Sequence, residues 1–169
     1  LSHLVGAGLE GTEPAYADVT FDDTHSLTIG GRVIELHNPA PAHTPGDSFV
    51  WLPQDSVVLT GDIDYTERLL GELDFSDSAG WRDAFAAIEA LAPDVVVPGH
   101  GSPTTLAAAQ ADTRDYLLNL RTWMAAHLDA GGDLIASVKV DQTDFDLQEL
   151  LDLQAGRNAQ TVFEHMEWE

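Results

Sequence analysis

Ser56-Val57-Val58-Leu59-Thr60-Gly61-Asp62 is an aliphatic run that breaks on a glycine and then presents a single carboxylate. β-favouring residues closed by a turn residue predict a strand, here Ser56 to Thr60. Gly61 lets the backbone approach a ligand or a neighbouring chain where a side chain would intrude. The same pattern recurs downstream in Asp94-Val95-Val96-Val97-Pro98-Gly99-His100-Gly101, a short buried strand over Asp94 to Val97 followed by a histidine between glycines. Upstream, Pro41-Ala42-His43-Thr44-Pro45-Gly46-Asp47 falls in a loop, Asn38 to Asp47, whose three prolines and one glycine exclude regular structure. Each of these three places follows a strand and carries one strong metal donor. A rigid scaffold commonly displays working side chains at such positions.

Around them the pattern predicts a hairpin, Ser26 to Ile29 and Arg32 to His37, turning at Gly30-Gly31. A further strand covers Ser48 to Leu52. Trp81, Phe85 and Ile88 recur at helical spacing and predict a helix from Ala79 to Leu91 capped by Ser78. A long helix runs from Thr105 to about Ala130 and stops at Gly131-Gly132. Shorter helices are expected at Leu134 to Val138, Asp146 to Leu153 and Asn158 to Glu167. Residues 1–17 read as a connecting segment, and residues 1–169 as a single α/β domain in which a sheet is covered by helices.

Composition narrows the chemistry. The 169 residues include 29 Asp and Glu against 7 Lys and Arg, for a net charge of −22, and Lys139 is the sole lysine. Such a surface repels phosphate backbones, so a small-molecule substrate is expected and nucleic acid is not. No apolar run approaches the roughly 18 residues that span a bilayer, so no membrane is expected as a partner. With no cysteine, disulfides and thiolate ligands are excluded. A metal site must then be built from imidazole and carboxylate, donors that suit zinc, iron or manganese.

The strings His43-Thr44-Pro45-Gly46, Thr60-Gly61-Asp62 and Pro98-Gly99-His100-Gly101, in that order, resemble the later motifs of the metallo-β-lactamase fold superfamily. The strings Pro41 to Asp47, Gly61-Asp62-Ile63 and Glu67-Arg68 also resemble a hydrolase branch of it linked to quinoprotein dehydrogenases. The resemblance implies an αββα sandwich of which this chain is the C-terminal half, one sheet layer flanked by helices. It implies two zinc ions in the complete fold, with His43 on the first metal, His100 on the second and Asp62 bridging them. Two such metals lower the pKa of bound water to about 7. By that resemblance the activity would be attack of such a hydroxide on an ester, thioester or lactone carbonyl. Tyr65 resembles the tyrosine that lactonases aim at the reacting carbonyl.

The departure from the pattern is equally informative. The superfamily's first motif, H-x-H-x-D-H, supplies most first-metal ligands, and it is absent; His3 and His25 stand alone. A dimer or a complementing N-terminal half is therefore expected. A non-catalytic module of the same fold is the alternative, with a nucleic-acid-processing relative further off. Asp47 either orients His43 or accepts local backbone N–H groups. Arg68 either binds a substrate carboxylate or pairs with Glu67 or Asp64. Tyr65 either takes part in catalysis or packs the pocket wall. The compartment is left open.

Overall fold

A computed structural model describes residue 8 and residues 10–169; His3 and most of the first half of the connecting segment lie outside the described residues. Five strands form one open sheet in sequence order: β1 Thr24–Ile29, β2 Arg32–His37, β3 Phe49–Leu52, β4 Val57–Tyr65 and β5 Val95–His100. The first four form an antiparallel meander, and β5 joins β4 in parallel. Helix α1, Ser78–Leu91, makes that crossover, as a parallel connection requires. The rest of the chain is helical: α2 Leu106–Ala109, a π-helical turn Gln110–Arg114, α3 Asp115–Asp129, α4 Leu134–Ser137 and α5 Leu151–Met166. This is the predicted α/β half-sandwich.

Register shows what each face of the sheet does. Val58 pairs with Trp51 and Val96, so these three share a face. Val58 and Val96 are fully buried there with Trp81, Ala84, Phe85 and Ile88 of α1. Each large side chain buried in this way stabilises by roughly 1.5–3 kcal/mol. The opposite face carries Leu27, Ile29, Ile34, Leu36, Val50, Leu52, Val57, Leu59, Val95 and Val97, matched strand to strand. None of these ten is buried, although alternation this clean marks a face built to be covered. The sheet is one layer of a sandwich with its second face open.

Several boundaries differ from expectation for identifiable reasons. β4 does not stop at Thr60: Gly61 adopts φ +53 and takes up a register shift, so the strand continues through Asp62 to Tyr65. β5 likewise runs through Pro98 to His100, so both ligand candidates lie within strands rather than in loops after them. The cap of α1 is Asp77, whose Oδ1 accepts N–H bonds from Ala79 at 3.0 Å and Gly80 at 2.9 Å. The expected Thr105–Ala130 helix is interrupted by its π turn. The two final helices are one: an apolar stripe of Ala155, Ala159, Val162 and Phe163 runs unbroken along α5, while Thr143–Phe145 forms only a 3₁₀ turn. Among the described residues no helix is long and apolar enough to cross a membrane.

Candidate metal centre

Three elements converge at the C-terminal ends of β4 and β5. His43 arrives from the proline-rich loop, held by three contacts around it. Ser76 Oγ donates to its carbonyl at 2.8 Å, and Asp77 N–H donates to the Ala42 carbonyl at 2.9 Å. Its ring packs edge-on against Trp81, with centroids 5.5 Å apart. Asp62 projects from β4 beside the Gly61 bulge. His100 ends β5, and its carbonyl accepts the Thr66 N–H at 2.9 Å. Gly99 has to be glycine here: a Cβ would lie 2.5 Å from Asp62 Oδ1 and from the Gly61 carbonyl.

The resulting geometry is symmetrical. His43 Nε2 lies 3.9 Å from Asp62 Oδ2, and His100 Nε2 lies 3.5 Å from Asp62 Oδ1. One carboxylate thus turns each oxygen to a different imidazole, all three side chains being only partly exposed. His43 Nδ1 faces the Gly71 carbonyl at 3.1 Å, a pairing that places its proton on Nδ1 and leaves Nε2 free as a donor atom. His100 Nδ1 faces Arg68 Nη1 at 3.4 Å. A guanidinium only donates, so this contact suits a His100 with its proton on Nε2; a metal on Nε2 would shift the proton to Nδ1 and turn Arg68 away.

The donor set fits a metal in part. Nitrogen and carboxylate oxygen at these separations can be spanned by two bonds of about 2 Å to an ion between them. Among the described residues, however, no three His, Asp or Glu side chains close on one point. Each flank of Asp62 offers one imidazole and one shared carboxylate oxygen, fewer than the three or four protein ligands a zinc site normally uses.

The neighbouring candidates divide. Tyr65, only 4% exposed, stacks on His100 with centroids 4.7 Å apart and also borders His43 and Trp81. Burial, then the charge of Asp62, pushes its phenol well above the ordinary range. Arg68 turns to neither Glu67 nor Asp64; its guanidinium lies 5.7 Å from the Tyr65 ring centre, and its Nε is buried without a partner. The Asp47 carboxylate takes the Thr44 N–H at 2.9 Å and the Thr44 hydroxyl at 2.5 Å. It thereby shapes the loop that holds His43 rather than bonding its ring.

Sequence reasoning missed the residues that support the site from a distance. Thr113, in the π turn, accepts the Tyr65 N–H at 2.9 Å and donates to the Tyr65 carbonyl at 2.7 Å. π turns of this kind often mark functional regions. Asp64 is fully buried beside Thr113, and burial lifts its carboxyl to about 6. The Thr113 hydroxyl is already committed to Tyr65, so both Asp64 oxygens are unpartnered.

A model of the metallo-beta-lactamase superfamily matches residues 3–100, which takes in His43, Asp62 and His100. The chain belongs to that superfamily. Its members typically bind metal ions and are often hydrolases. An uncharacterized protein of Mycobacterium leprae is 37% identical over 92 residues, covering 51% of this chain and 41% of that protein. A metallo-beta-lactamase from Pontibacter korlensis superposes with a TM-score of 0.56 at 27% identity, covering 70% of this chain and 54% of its own. A double mutant of the sec-alkyl sulfatase PisA1 superposes with a TM-score of 0.68 at 19% identity, covering 90% of this chain and 27% of that one. The chain thus spans about half, or less, of the length of each of these three proteins.

Proposed function

We propose that this chain is the C-terminal part of a metal-dependent hydrolase acting on an ester, thioester or lactone carbonyl of a small molecule. One observation carries the reading: the Asp62 carboxylate lies between the Nε2 atoms of His43 and His100, 3.9 and 3.5 Å away. A bridging carboxylate with an imidazole on each flank is the arrangement two metals share, and zinc suits its donors best, ahead of iron or manganese. Bound metal at such a centre supplies an activated water and Lewis-acid polarisation of the scissile carbonyl. The chain's own residues hold and orient. Asp62 and the two histidines present donors, Tyr65 walls the site and brings its hydroxyl toward developing oxyanion charge, and Arg68, beside Tyr65 and His100, sets a positive charge where an anionic part of the substrate would lie. The net charge of −22 supports a small molecule over nucleic acid.

The open sheet face and the incomplete donor set together support a second layer that brings the remaining ligands, from a complementing H-x-H-x-D-H half or a second copy. The test mixes the 169-residue chain with a polypeptide supplying that half and measures zinc content and hydrolysis of ester, thioester and lactone substrates. We expect metal uptake and turnover that Asp62→Asn abolishes. A mixture that assembles and folds, yet neither retains metal nor hydrolyses any of the three, would favour a non-catalytic module.

A further inference from the structure

The carbonyl that orients His43 belongs to Gly71, in a segment with no strand partner. Its hold comes instead from the C-terminal third of the chain. The Leu69 N–H donates to the Glu149 carbonyl at 2.8 Å, and the Glu149 N–H donates to the Glu67 carbonyl at 3.0 Å. Asn158, fully buried on α5, grips the segment at two further points. Its Oδ1 accepts the Glu72 N–H at 2.8 Å and its Nδ2 donates to the Leu70 carbonyl at 2.8 Å.

The amide has only one workable orientation. Tyr116 donates its hydroxyl proton to Gln142 Oε1 at 2.7 Å, so it accepts from Asn158 Nδ2 at 2.9 Å. Gln142 Nε2 in turn donates to the Ala155 carbonyl on α5 at 3.1 Å. Flipping Asn158 would set donor against donor at Glu72 and acceptor against acceptor at Leu70. The Glu72 N–H shares one planar, trans peptide unit with the Gly71 carbonyl, and in such a unit N–H and C=O point to opposite sides. Fixing the N–H on Asn158 therefore aims the carbonyl away from α5, at His43 Nδ1.

We infer that Asn158 is a positioning residue for the metal centre: through the Gly71–Glu72 peptide it holds His43 with Nδ1 protonated and Nε2 turned to Asp62. The inference rests on the metal-centre reading above. It extends that centre to a residue outside the 3–100 span matched by the family. Asn158 touches no substrate and acts only through backbone.

The test uses the ¹⁵N-labelled 169-residue chain and two readouts. Long-range ¹H–¹⁵N spectra without metal report the tautomer of His43, and competition against a chromophoric chelator reports zinc affinity. Wild type should show the Nδ1–H form. Asn158→Ala should give a mixture of tautomers and weaken zinc about 10–100-fold, the usual effect of losing an orienting partner. Asn158→Asp keeps an acceptor for the Glu72 N–H but loses the donor to Leu70, so it should melt earlier and still retain the wild-type tautomer. Should Asn158→Ala fail to fold, Asn158→Leu serves in its place, since it fills a similar volume but can neither accept from the Glu72 N–H nor donate to the Leu70 carbonyl. An Asn158→Ala or Asn158→Leu variant that melts earlier but keeps the His43 tautomer and the zinc affinity would reduce Asn158 to a packing role and overturn the inference. So would a wild-type His43 protonated on Nε2. The tautomer readout needs neither metal nor turnover, so a failure of the hydrolase reading is told apart from a failure of this one.

Discussion

A single added methyl at Gly99 would enter the space of Asp62 Oδ1. Gly99→Ala should therefore displace the Asp62 carboxylate and, on the proposed function, lower zinc affinity about as much as Asp62→Ala does, at least about 10-fold on the scale of lost ligand support. An alanine variant with wild-type zinc affinity would show that Asp62 is not held where the site needs it. His43→Ala and His100→Ala should both remove metal, but only His43→Ala should also lower the thermal midpoint, because its ring packs on Trp81 and bonds the Gly71 carbonyl. Glu72 makes a different, pH-dependent prediction. Burial, and then the charge of Asp77, lifts its carboxyl to about 8 against the opposing pull of Arg121, and Tyr116 also faces it. An acid with a raised folded pKa binds its proton more tightly when folded. Its contribution to stability is thus full below the ordinary carboxylate range and falls as pH rises toward about 8. Between about pH 5 and pH 8, wild type should lose at least about 1 kcal/mol more stability than Glu72→Gln, read from urea midpoints. Asp64 titrates in both proteins and cancels; equal losses would mean that Glu72 is ionised in the fold. At this scale His43, Asp62 and His100 were legible because each stands among glycines and prolines. Asn158 and Glu72 were not, since an asparagine 87 positions from the carbonyl it aims and a glutamate inside a core look like any other surface residues in the chain.

The elements were legible where periodicity alone builds them and less so where distant contacts decide. The hairpin and α1 follow from alternation and helical spacing, and the structure keeps them within a residue or two; the parallel strand starts as expected but runs three residues further, to His100. β4 outran its expected end because a glycine read as a terminator serves as a bulge, its positive φ carrying the strand past a register shift. The split expected in the last helix is absent because the buried stripe continues on both sides of Gly156, and an interior glycine costs only about 1 kcal/mol in a helix. The π turn had no signature in sequence, yet it brings Thr113 to the Tyr65 backbone. Thr113→Val keeps shape and burial but removes both bonds. It leaves the Tyr65 N–H and C=O unsatisfied in the core, and should cost about 1–3 kcal/mol. Chemical denaturation reads the stability, and amide exchange at Tyr65 reads the location. A loss confined to α2 and α3, with Tyr65 still protected, would mean that β4 holds its end without the π turn.

Two opposing forces govern the molecule as a whole. One is the sheet face of ten aliphatic residues, of which Leu27, Ile29, Leu59 and Val95 are 37–62% exposed. Contiguous apolar surface of that extent seldom persists on monomers, and a second sheet about 10 Å away is the layer that covers such a face. The other is a net charge of −22, which pushes copies of the chain apart over distances set by ionic strength. Together they predict salt-dependent assembly. At low ionic strength repulsion between copies is strong and the chain should be largely monomeric. Toward about 0.5 M salt the repulsion is screened within a few ångströms, burial of the face prevails, and the mass by light scattering should rise. Leu59→Asp puts a charge in the middle of the face and should hold the chain monomeric at every salt concentration while leaving its circular dichroism unchanged, since Leu59 packs against no helix. A complementing half should compete for the same surface, so the salt-driven rise should disappear once that half is added. A wild-type chain that stays monomeric throughout this range, or a Leu59→Asp variant that assembles like wild type, would place the covering layer elsewhere.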